Sequence, residues 1–588
     1  MLQYSRLCRL IHDSLHPLTV KSSVLMTNEE EKLLLITLSQ ILNRIKVWTA
    51  EFDSGSDNGD HVMDDLKCHS SASCCIPKIT NELVFLLCLE SQYGQHLAAN
   101  VLVSISEFVA ASGSYWEEFM QSLCFYFERM IYKVILPSSD PPIRAKHLEL
   151  LDLQRVLDNA RWQSVGAIVL VLRNILKQED DAKILEIYFQ VLGSCLEVIP
   201  WDAACNIILA DDINAPRSSW FEFCGNLLQL VCSLADCEEK NPAVRAIFNI
   251  FPNILTWCFG MPAENHNYSC SQSQYTRHKI LVLMIRLSSL ISLDCATVVS
   301  WLHLIEKYFH DLLSESVSEL EADQDDCLRD SPFSGTSSHR HLQRRVIFLY
   351  VKCAFSLIGL KEHCKKQCSS CGNMKSCSKR GFTALYEWLK KHLPANIHHN
   401  RDDCCKRFTK SFIQLYMHED DMLFQILLQL TYVPFEYAQP ITEDWISEVV
   451  EKDILFLLSD IFDPVRLFHL FLSELHYDHQ VLLDYLISKD IGASCAEYLL
   501  RCLRIICDKW NSFLEFPFRA EGERQPFPKR RKFEDEKACE HAFNKAGECL
   551  LLLKKSVESL HQKDLFPYNP QVLLRRLTRF QELCLKRV

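Results

Sequence analysis

The feature that most constrains the fold is a helical period of apolar side chains in residues 465–513. On this stretch a single stripe recurs at steps of three and four residues, through Leu499, Leu503, Ile506, Trp510 and Phe513. The spacing matches the 3.6-residue turn of an amphipathic helix with one buried face. A break near His476–Asp478 separates this part from an earlier helix. Short helices joined by so few residues pack antiparallel against each other.

Similar apolar periods follow one another along most of the chain. Gln95–Ala111 is one example, and its small residues Ala98 and Ala99 would let a neighbouring helix approach closely. Asn28–Trp48 is another, with Thr27 placed to cap it. The chain has 588 residues but only 15 glycines and 20 prolines, which favours long helices with short connections. These features predict an all-α, armadillo/HEAT-like helical repeat, an α-solenoid.

Two polar segments divide this succession of helices. Ser314–Gln343 is acidic and then serine-rich, and Phe516–Asp535 is polar and contains a basic run. The predicted organisation has five parts: an N-terminal armadillo-like region at 1–313, a linker at 314–343, a C-terminal helical region at 344–515, a linker with the basic run at 516–537, and closing helices at 538–588.

Composition and charge narrow the function classes. The net charge of −12 argues against a general binder of polyanions, so direct nucleic-acid binding is not expected. The most apolar long stretch, Ile280–Ile305, is interrupted by Arg286 and Asp294, and it is too polar for a bilayer span. Met1–Pro17 lacks the uninterrupted apolar core of a signal peptide. We therefore expect an intracellular protein whose 28 cysteines are reduced and which has no membrane partner.

A cysteine-rich segment is a candidate metal site. It has the spacing C-x3-C-x2-C-x5-C and consists of Cys364, Cys368, Cys371 and Cys377. Four thiolates in fourteen residues could bind zinc, although no second knuckle stands at a standard distance. The alternative is that these are exposed or packed thiols in a chain rich in cysteine. Zinc is thus the one cofactor with candidate ligands, and otherwise no cofactor is expected.

A basic run behind two prolines is a candidate nuclear-localisation signal. The run is Lys529, Arg530, Arg531 and Lys532, isolated in an acidic chain. A solvated surface segment is the alternative. Together with the cysteines, the run also leaves open a second function, that of a zinc-dependent nucleic-acid-binding nuclear factor.

Two further segments carry charge or aromatic side chains next to helices. Asp420 and Asp421 precede an apolar helical run, where carboxylates cap the helix and complement its positive end. In LFPYNP the residue Asn569 is expected to be an N-cap, with Pro570 at the first helical position. The apolar residues before that cap either dock the final helix or form a surface for a partner.

Three stretches together resemble the C-terminal pattern of the Lines family. They are FIQLYMHEDDMLFQILLQL, then FHLFLSELHYDHQVLLDYLISKD continuing to CDKWNSF, and QKDLFPYNPQVLLRRL, within Phe412–Leu577. The N-terminal half is similar to the family's helical region chiefly at Gln95–Ala111. Relatives often carry a long low-complexity insertion before the LFPYNP helix, whereas this chain has a short linker.

The resemblance implies a non-enzymatic regulator. Lines proteins are linked to developmental signalling of the Wnt type and to transcription through protein partners, in both cytoplasm and nucleus. No phosphate-binding loop, H-E-x-x-H or G-x-S-x-G motif argues for an enzyme. The motif residues that the resemblance assigns to a partner surface are Asp420, Asp421, Asp484, Tyr485, Trp510, Leu565, Phe566, Pro567, Tyr568, Asn569 and Pro570.

Overall fold

The regular elements of the chain are α-helices. The computed structural model describes residues 2–21, 27–53, 75–113, 115–136, 149–203, 217–236, 242–259, 269–290, 295–317, 340–359, 374–393, 401–431, 456–514 and 531–586. No β-strand occurs within these ranges. Their contacts divide them into two compact units, with the first ending at Leu290 and the second beginning after it. The all-α prediction is confirmed.

The first unit contains eleven described helices. They are α1 (Leu2–Lys21), α2 (Asn28–Asp53), α3 (Cys75–Leu87), α4 (Gln92–Ala111), α5 (Trp116–Ile135), α6 (Glu149–Asp158), α7 (Trp162–Gln178), α8 (Ala182–Val198), α9 (Arg217–Leu234), α10 (Pro242–Phe259) and α11 (Ser269–Leu290).

These helices stack in two layers, which is the arrangement of a helical repeat. One layer is formed by successive contacts of α2 with α4, α4 with α7, α7 with α9, and α9 with α11. The other runs from α1 through α3, α5 and α8 to α10. A helix therefore packs against helices two or three positions away in the chain, as stacked helical pairs do in α-solenoids. This sequence of helix–helix contacts establishes the predicted repeat architecture.

Local sequence explains how these helices begin and how closely they pack. The predicted cap at Thr27 is confirmed as a capping box, because the Glu30 backbone N–H donates to Thr27 Oγ1 (3.4 Å) and the Thr27 N–H donates to Glu30 Oε2 (2.9 Å). Ala98 and Ala99 on α4 are both buried, as the close approach of neighbouring helices requires.

The second unit contains twelve described helices, in addition to a short helix at residues 456–461. They are α12 (Cys295–Tyr308), α13 (His310–Ser314), α14 (Arg340–Gly359), α15 (Met374–His392), α16 (Arg401–Tyr416), α17 (Asp420–Thr431), α18 (Pro464–Glu474), α19 (His479–Ile487), α20 (Gly492–Asp508), α21 (Trp510–Leu514), α22 (Arg531–Gln562) and α23 (Gln571–Leu585).

Two rows of contacts organise this unit as well. One row passes from α12 to α14, α17, α20 and α23, and the other passes from α16 to α18, α21 and α22. The predicted break after α18 is present as a turn in which His476 and Tyr477 have φ of 54° and 58°. Left-handed backbone at two consecutive non-glycine residues stops the helix and reverses the chain.

The observed boundaries differ from the predicted ones at two places. The units divide at Leu290, so the N-terminal region predicted up to residue 313 is shared between them. Helix α22 begins at Arg531, inside the predicted linker. The segment KFEDEKACEHA, at the start of α22, contains neither glycine nor proline, so nothing in its sequence prevents a helix. No described helix is both long and apolar enough to cross a membrane.

Candidate functional site

Two buried residues anchor the LFPYNP motif to the rest of the second unit. Phe566 and Pro570 face the interior, and the Phe566 ring lies 4.9 Å from that of Tyr568 in an edge-on arrangement. The Tyr568 hydroxyl donates to the backbone oxygen of Leu486 at 3.0 Å, which ties the motif to the end of α19. Burial raises the pKa of Tyr568 to about 12, so the hydroxyl keeps its proton and remains a donor.

The start of α23 follows the prediction with a shift of one residue. Pro570 is the N-cap, because its carbonyl accepts from Leu574 N at 2.9 Å. The Asn569 side chain still satisfies an N–H at this helix start, since its Oδ1 accepts from Gln571 N at 3.0 Å. The turn is therefore held by an asparagine side chain rather than by a cap in the expected register.

Four apolar residues in or beside the same motif are exposed. Leu565 is 66% exposed, Val572 is 51% exposed, and Tyr568 retains 36%. Ile487, next to the residue that Tyr568 contacts, is 39% exposed. We call these four residues, Ile487, Leu565, Tyr568 and Val572, the LFPYNP surface. Large apolar side chains gathered on a rigid element are the usual composition of a protein-binding surface.

Arginines border this surface on α23. Arg575 and Arg576 are exposed, while Arg579 lies 3.2 Å from Glu582 in an exposed ion pair. The other face of α23 is buried through Leu573, Leu577 and Phe580. The last helix thus docks through one face and presents cations on the other, and a partner surface formed by the residues before it remains a prediction.

The Trp510 motif residue belongs to an aromatic cluster inside the second unit. Its ring centroid lies 5.6–5.9 Å from those of Phe513, Phe543 and Phe580, which come from α21, α22 and α23. Phe513 is stacked in turn on the buried His469 of α18, at 4.3 Å. Aromatic pairs at such distances add to the stabilisation from area burial. The cluster therefore joins four helices, and Trp510 itself is half-buried within it.

His469 is a buried polar residue that sequence reasoning missed. Its Nε2 donates to the Phe513 backbone oxygen at 3.2 Å, since a carbonyl can only accept. Burial lowers the pKa of His469 to about 4, the hydrogen bond to Phe513 opposing the shift. A histidine within the apolar run VRLFHLF was the available signal.

The two aspartates at the start of α17 have structural roles. Asp420 and Asp421 occupy the first turn of α17, as predicted, and Asp421 is exposed. Tyr485 donates to Asp420 Oδ1 at 3.2 Å. Burial raises the pKa of Asp420, and the hydrogen bond from Tyr485 opposes this shift. Asp484, beside that tyrosine, is exposed.

A buried arginine near these acids was not foreseen. Arg344 lies 2.8 Å from Glu419 through Nη1, and its Nε donates to the backbone oxygen of Leu415. Tyr416 donates to the Arg344 backbone oxygen at 3.2 Å, and Arg345 is 3.6 Å from Glu419. This network joins α14 to the turn between α16 and α17. Two adjacent arginines ahead of an apolar run were the only sequence signal for it.

The other predicted sites fall largely outside the described residues. Cys364, Cys368 and Cys371 lie there, whereas Cys377 is buried on α15, in a helix and not in the expected loop. Lys529 and Arg530 also lie outside, while Arg531 and Lys532 begin α22. Zinc binding by the cysteines and nuclear import through the basic run remain predictions.

Two family models match the half of the chain that contains this surface. The model described as Lines C-terminus matches residues 546–582, which include LFPYNP and α23. The model described as Lines N-terminus matches residues 337–516, from α14 to α21. The chain is a Lines family protein. The stretches from FIQLYMH to CDKWNSF, predicted as a C-terminal pattern of the family, thus lie in the region that the family models describe as its N-terminus.

The aromatic cluster joins the two matched regions of this Lines protein. Trp510 and Phe513 come from the first region and Phe580 comes from the second. Tyr568 likewise reaches from the second region to Leu486 in the first. The family motifs thus meet in space and are parts of one packed structure.

Solved structures and curated proteins add little to this assignment. An engineered protein from the Northeast Structural Genomics Consortium is 12% identical, with a TM-score of 0.26 over 99% of this chain and 98% of that one. A circular tandem repeat protein with novel repeat topology and enhanced subunit contact surfaces is 12% identical, with a TM-score of 0.21 over 96% and 98%. No curated protein matches. The fold assignment therefore rests on the helix contacts described above.

Proposed function

We propose that this Lines protein is a non-enzymatic scaffold that binds protein partners through the LFPYNP surface and thereby regulates developmental signalling and transcription. One observation carries the proposal: a motif in a family-matched region is anchored by Phe566 and Pro570, yet it presents large apolar side chains to solvent. Packing alone does not require Leu565 or Val572 at these positions, because both are more than half exposed. A bound partner would bury them.

The chemistry of the surface specifies the kind of partner. The four apolar side chains supply anchors, and Arg575 and Arg576 on the adjoining helix supply a cationic border. An amphipathic segment with apolar side chains on one face and carboxylates at its edge would complement both. Because the arginines are exposed, they would contribute more to the association rate than to the affinity.

The described cysteines support a role in packing and not in catalysis. Burial raises the pKa of Cys353 and of Cys502 to about 12, and the pKa of Cys88 likewise to about 12. The thiolate is the nucleophile in cysteine chemistry, so these thiols are poorly suited to attack a substrate. This agrees with the non-enzymatic role that family and fold suggest.

Proximity labelling in cells tests the partner surface. We expect Val572→Asp to remove the partners of the wild-type protein, because it places a carboxylate among the apolar anchors. Val198→Asp is the matched control, since Val198 is 64% exposed at the end of α8 in the first unit. Both variants should keep the helical circular-dichroism spectrum of the wild type. An identical set of partners for Val572→Asp and wild type would overturn the proposal.

Nuclear access is a separate part of the proposal. The basic run from Lys529 to Lys532 would be read by import adaptors, whose grooves are acidic. A fluorescent fusion with all four residues changed to alanine should accumulate in the cytoplasm, while a fusion with the exposed Lys555 and Lys563 replaced instead should not change its distribution. Equal nuclear signal in all fusions would refute this route.

A further inference from the structure

Two histidines of α1 converge with a carboxylate of α3 in the first unit. His12 and His16 are one helical turn apart, which places both imidazoles on the same face of α1. Glu82 extends towards them from α3, which packs against α1. His12 and His16 are exposed, whereas the Glu82 side chain is only 14% exposed. The carboxylate is thus fixed by its surroundings, and the imidazoles can adjust to it.

The distances suit a shared cation. One ligand atom from each of the three residues lies within 4.8 Å of the other two. His12 Nδ1 is 2.7 Å from Glu82 Oε1, and the two imidazole centroids are 4.5 Å apart. Zinc binds imidazole nitrogen at about 2.0–2.1 Å and carboxylate oxygen at about 2.0–2.2 Å, so tetrahedral ligand atoms stand roughly 3.4 Å from each other. Small rotations of exposed histidine side chains would reach this separation.

The donor set also selects the type of ion. Two neutral imidazoles and one carboxylate are ligands that Zn²⁺ and its neighbours in the first transition row prefer, whereas Ca²⁺ and Mg²⁺ require oxygen ligands. Pairs of histidines four residues apart on a helix are a recurrent zinc-binding arrangement. Among the residues that the structure describes, no other group of three such side chains comes together in this way.

We propose that His12, His16 and Glu82 bind a divalent transition-metal ion, with Zn²⁺ as the preferred ion. Three protein ligands fill three tetrahedral positions, and water or a partner's side chain takes the fourth. The ion would bridge α1 and α3 and replace the hydrogen bond that joins His12 to Glu82. Because the ligands come from two helices, binding the metal stabilises their contact.

Cobalt substitution separates this site from the many thiols of the chain. We expect reduced full-length protein to bind Co²⁺ at this site with weak visible bands of a nitrogen–oxygen ligand set, which are distinct from the near-ultraviolet charge transfer of any Co²⁺ bound by thiolates. The double variant His12→Ala with His16→Ala should lose this spectrum. His303→Ala is the control, because His303 is exposed on α12 in the other unit. The same visible bands in the double variant would overturn the proposal.

Affinity and hydrogen exchange supply a second readout. Glu82→Gln should weaken Co²⁺ and Zn²⁺ binding by more than about 10–100-fold, the loss typical of removing even an outer partner of a ligand. Zn²⁺ should also slow amide exchange in α1 of the wild type but not of the double variant. All ligands except Glu82 are exposed, so the variants are expected to fold. If amide exchange in α1 changes with the substitutions but not with Zn²⁺, then His12 and Glu82 form only a hydrogen bond, and the metal site is refuted.

Discussion

The buried His469 predicts a specific loss of stability in mild acid. The folded chain takes up a proton on this imidazole only near pH 4, whereas the ordinary pKa is 6.5. The unfolded state therefore binds more protons between these values, and stability falls as the pH falls through that window. It is fully present above about pH 6.5, where both states hold the imidazole neutral.

The two pKa values set the size of the effect. Lowering the pH from 7.5 to 5 should reduce the local free energy of unfolding by about 2 kcal/mol through His469. At pH 5 this imidazole is protonated in the unfolded state and mostly neutral in the folded state. His469→Gln removes the titration and retains an N–H that can donate to the Phe513 oxygen. The variant loses the ring stacking on Phe513 at every pH, so the diagnostic quantity is the slope and not the absolute stability.

Native-state hydrogen exchange measures this slope where it arises. Opening free energies of peptides from α18 and α21 would be compared between wild type and His469→Gln at each pH, so that other titrating groups cancel. Peptides from α4 in the first unit serve as an internal reference. His303→Gln controls for removal of an exposed histidine. Parallel pH curves for wild type and His469→Gln would refute the reasoning.

Four further predictions concern helix packing and buried polar contacts. Gly381→Ala should destabilise the chain by about 1–3 kcal/mol, because the new Cβ would lie 2.6 Å from the Ala354 oxygen. Gly547→Ala, where a Cβ meets nothing within 4 Å, should instead stabilise α22 by about 0.5–1 kcal/mol in urea unfolding. Glu419→Gln should cost about 2 kcal/mol by weakening the pair with buried Arg344, and an unchanged urea midpoint would contradict this. Tyr568→Phe should cost about 1 kcal/mol and speed exchange at the end of α19; equal exchange would refute the contact.

The helices could be predicted because their signal is local. A 3.6-residue period and a capping box depend on residues within one or two turns, so Thr27 and the stripe from Leu499 to Ile506 followed from the sequence. The predicted continuation of that stripe was wrong in one respect, because α20 ends at Asp508 and Trp510 and Phe513 lie on the separate helix α21. Helix starts without a breaking residue were less accurate, as at α22, which extends back to Arg531. The period fixes which face is buried but not how far a helix runs.

The interaction partners of single residues depend on tertiary contacts and could not be predicted. Trp510 was placed on the buried stripe, but its neighbours Phe543 and Phe580 come from helices that only the fold brings together. Likewise, α1 contacts α3 because alternate helices share a layer, which is why Glu82 reaches His12. The exposed residues of LFPYNP were identified by resemblance, and only the structure separates Leu565, facing outward, from Phe566, facing inward.

The two-layer stacking of the first unit has a thermodynamic consequence. Within its layer a helix contacts the helices before and after it, as α4 contacts α2 and α7, and it also contacts adjacent helices of the other layer, as α4 contacts α3, so free energy is coupled mainly between near neighbours along the stack. A disturbance at α10 would weaken its neighbours first and decay with distance from them. Distant stretches of the same unit can therefore open, tighten or accept substitutions with little effect on one another, so that one region of the stack can change while the others keep their stability.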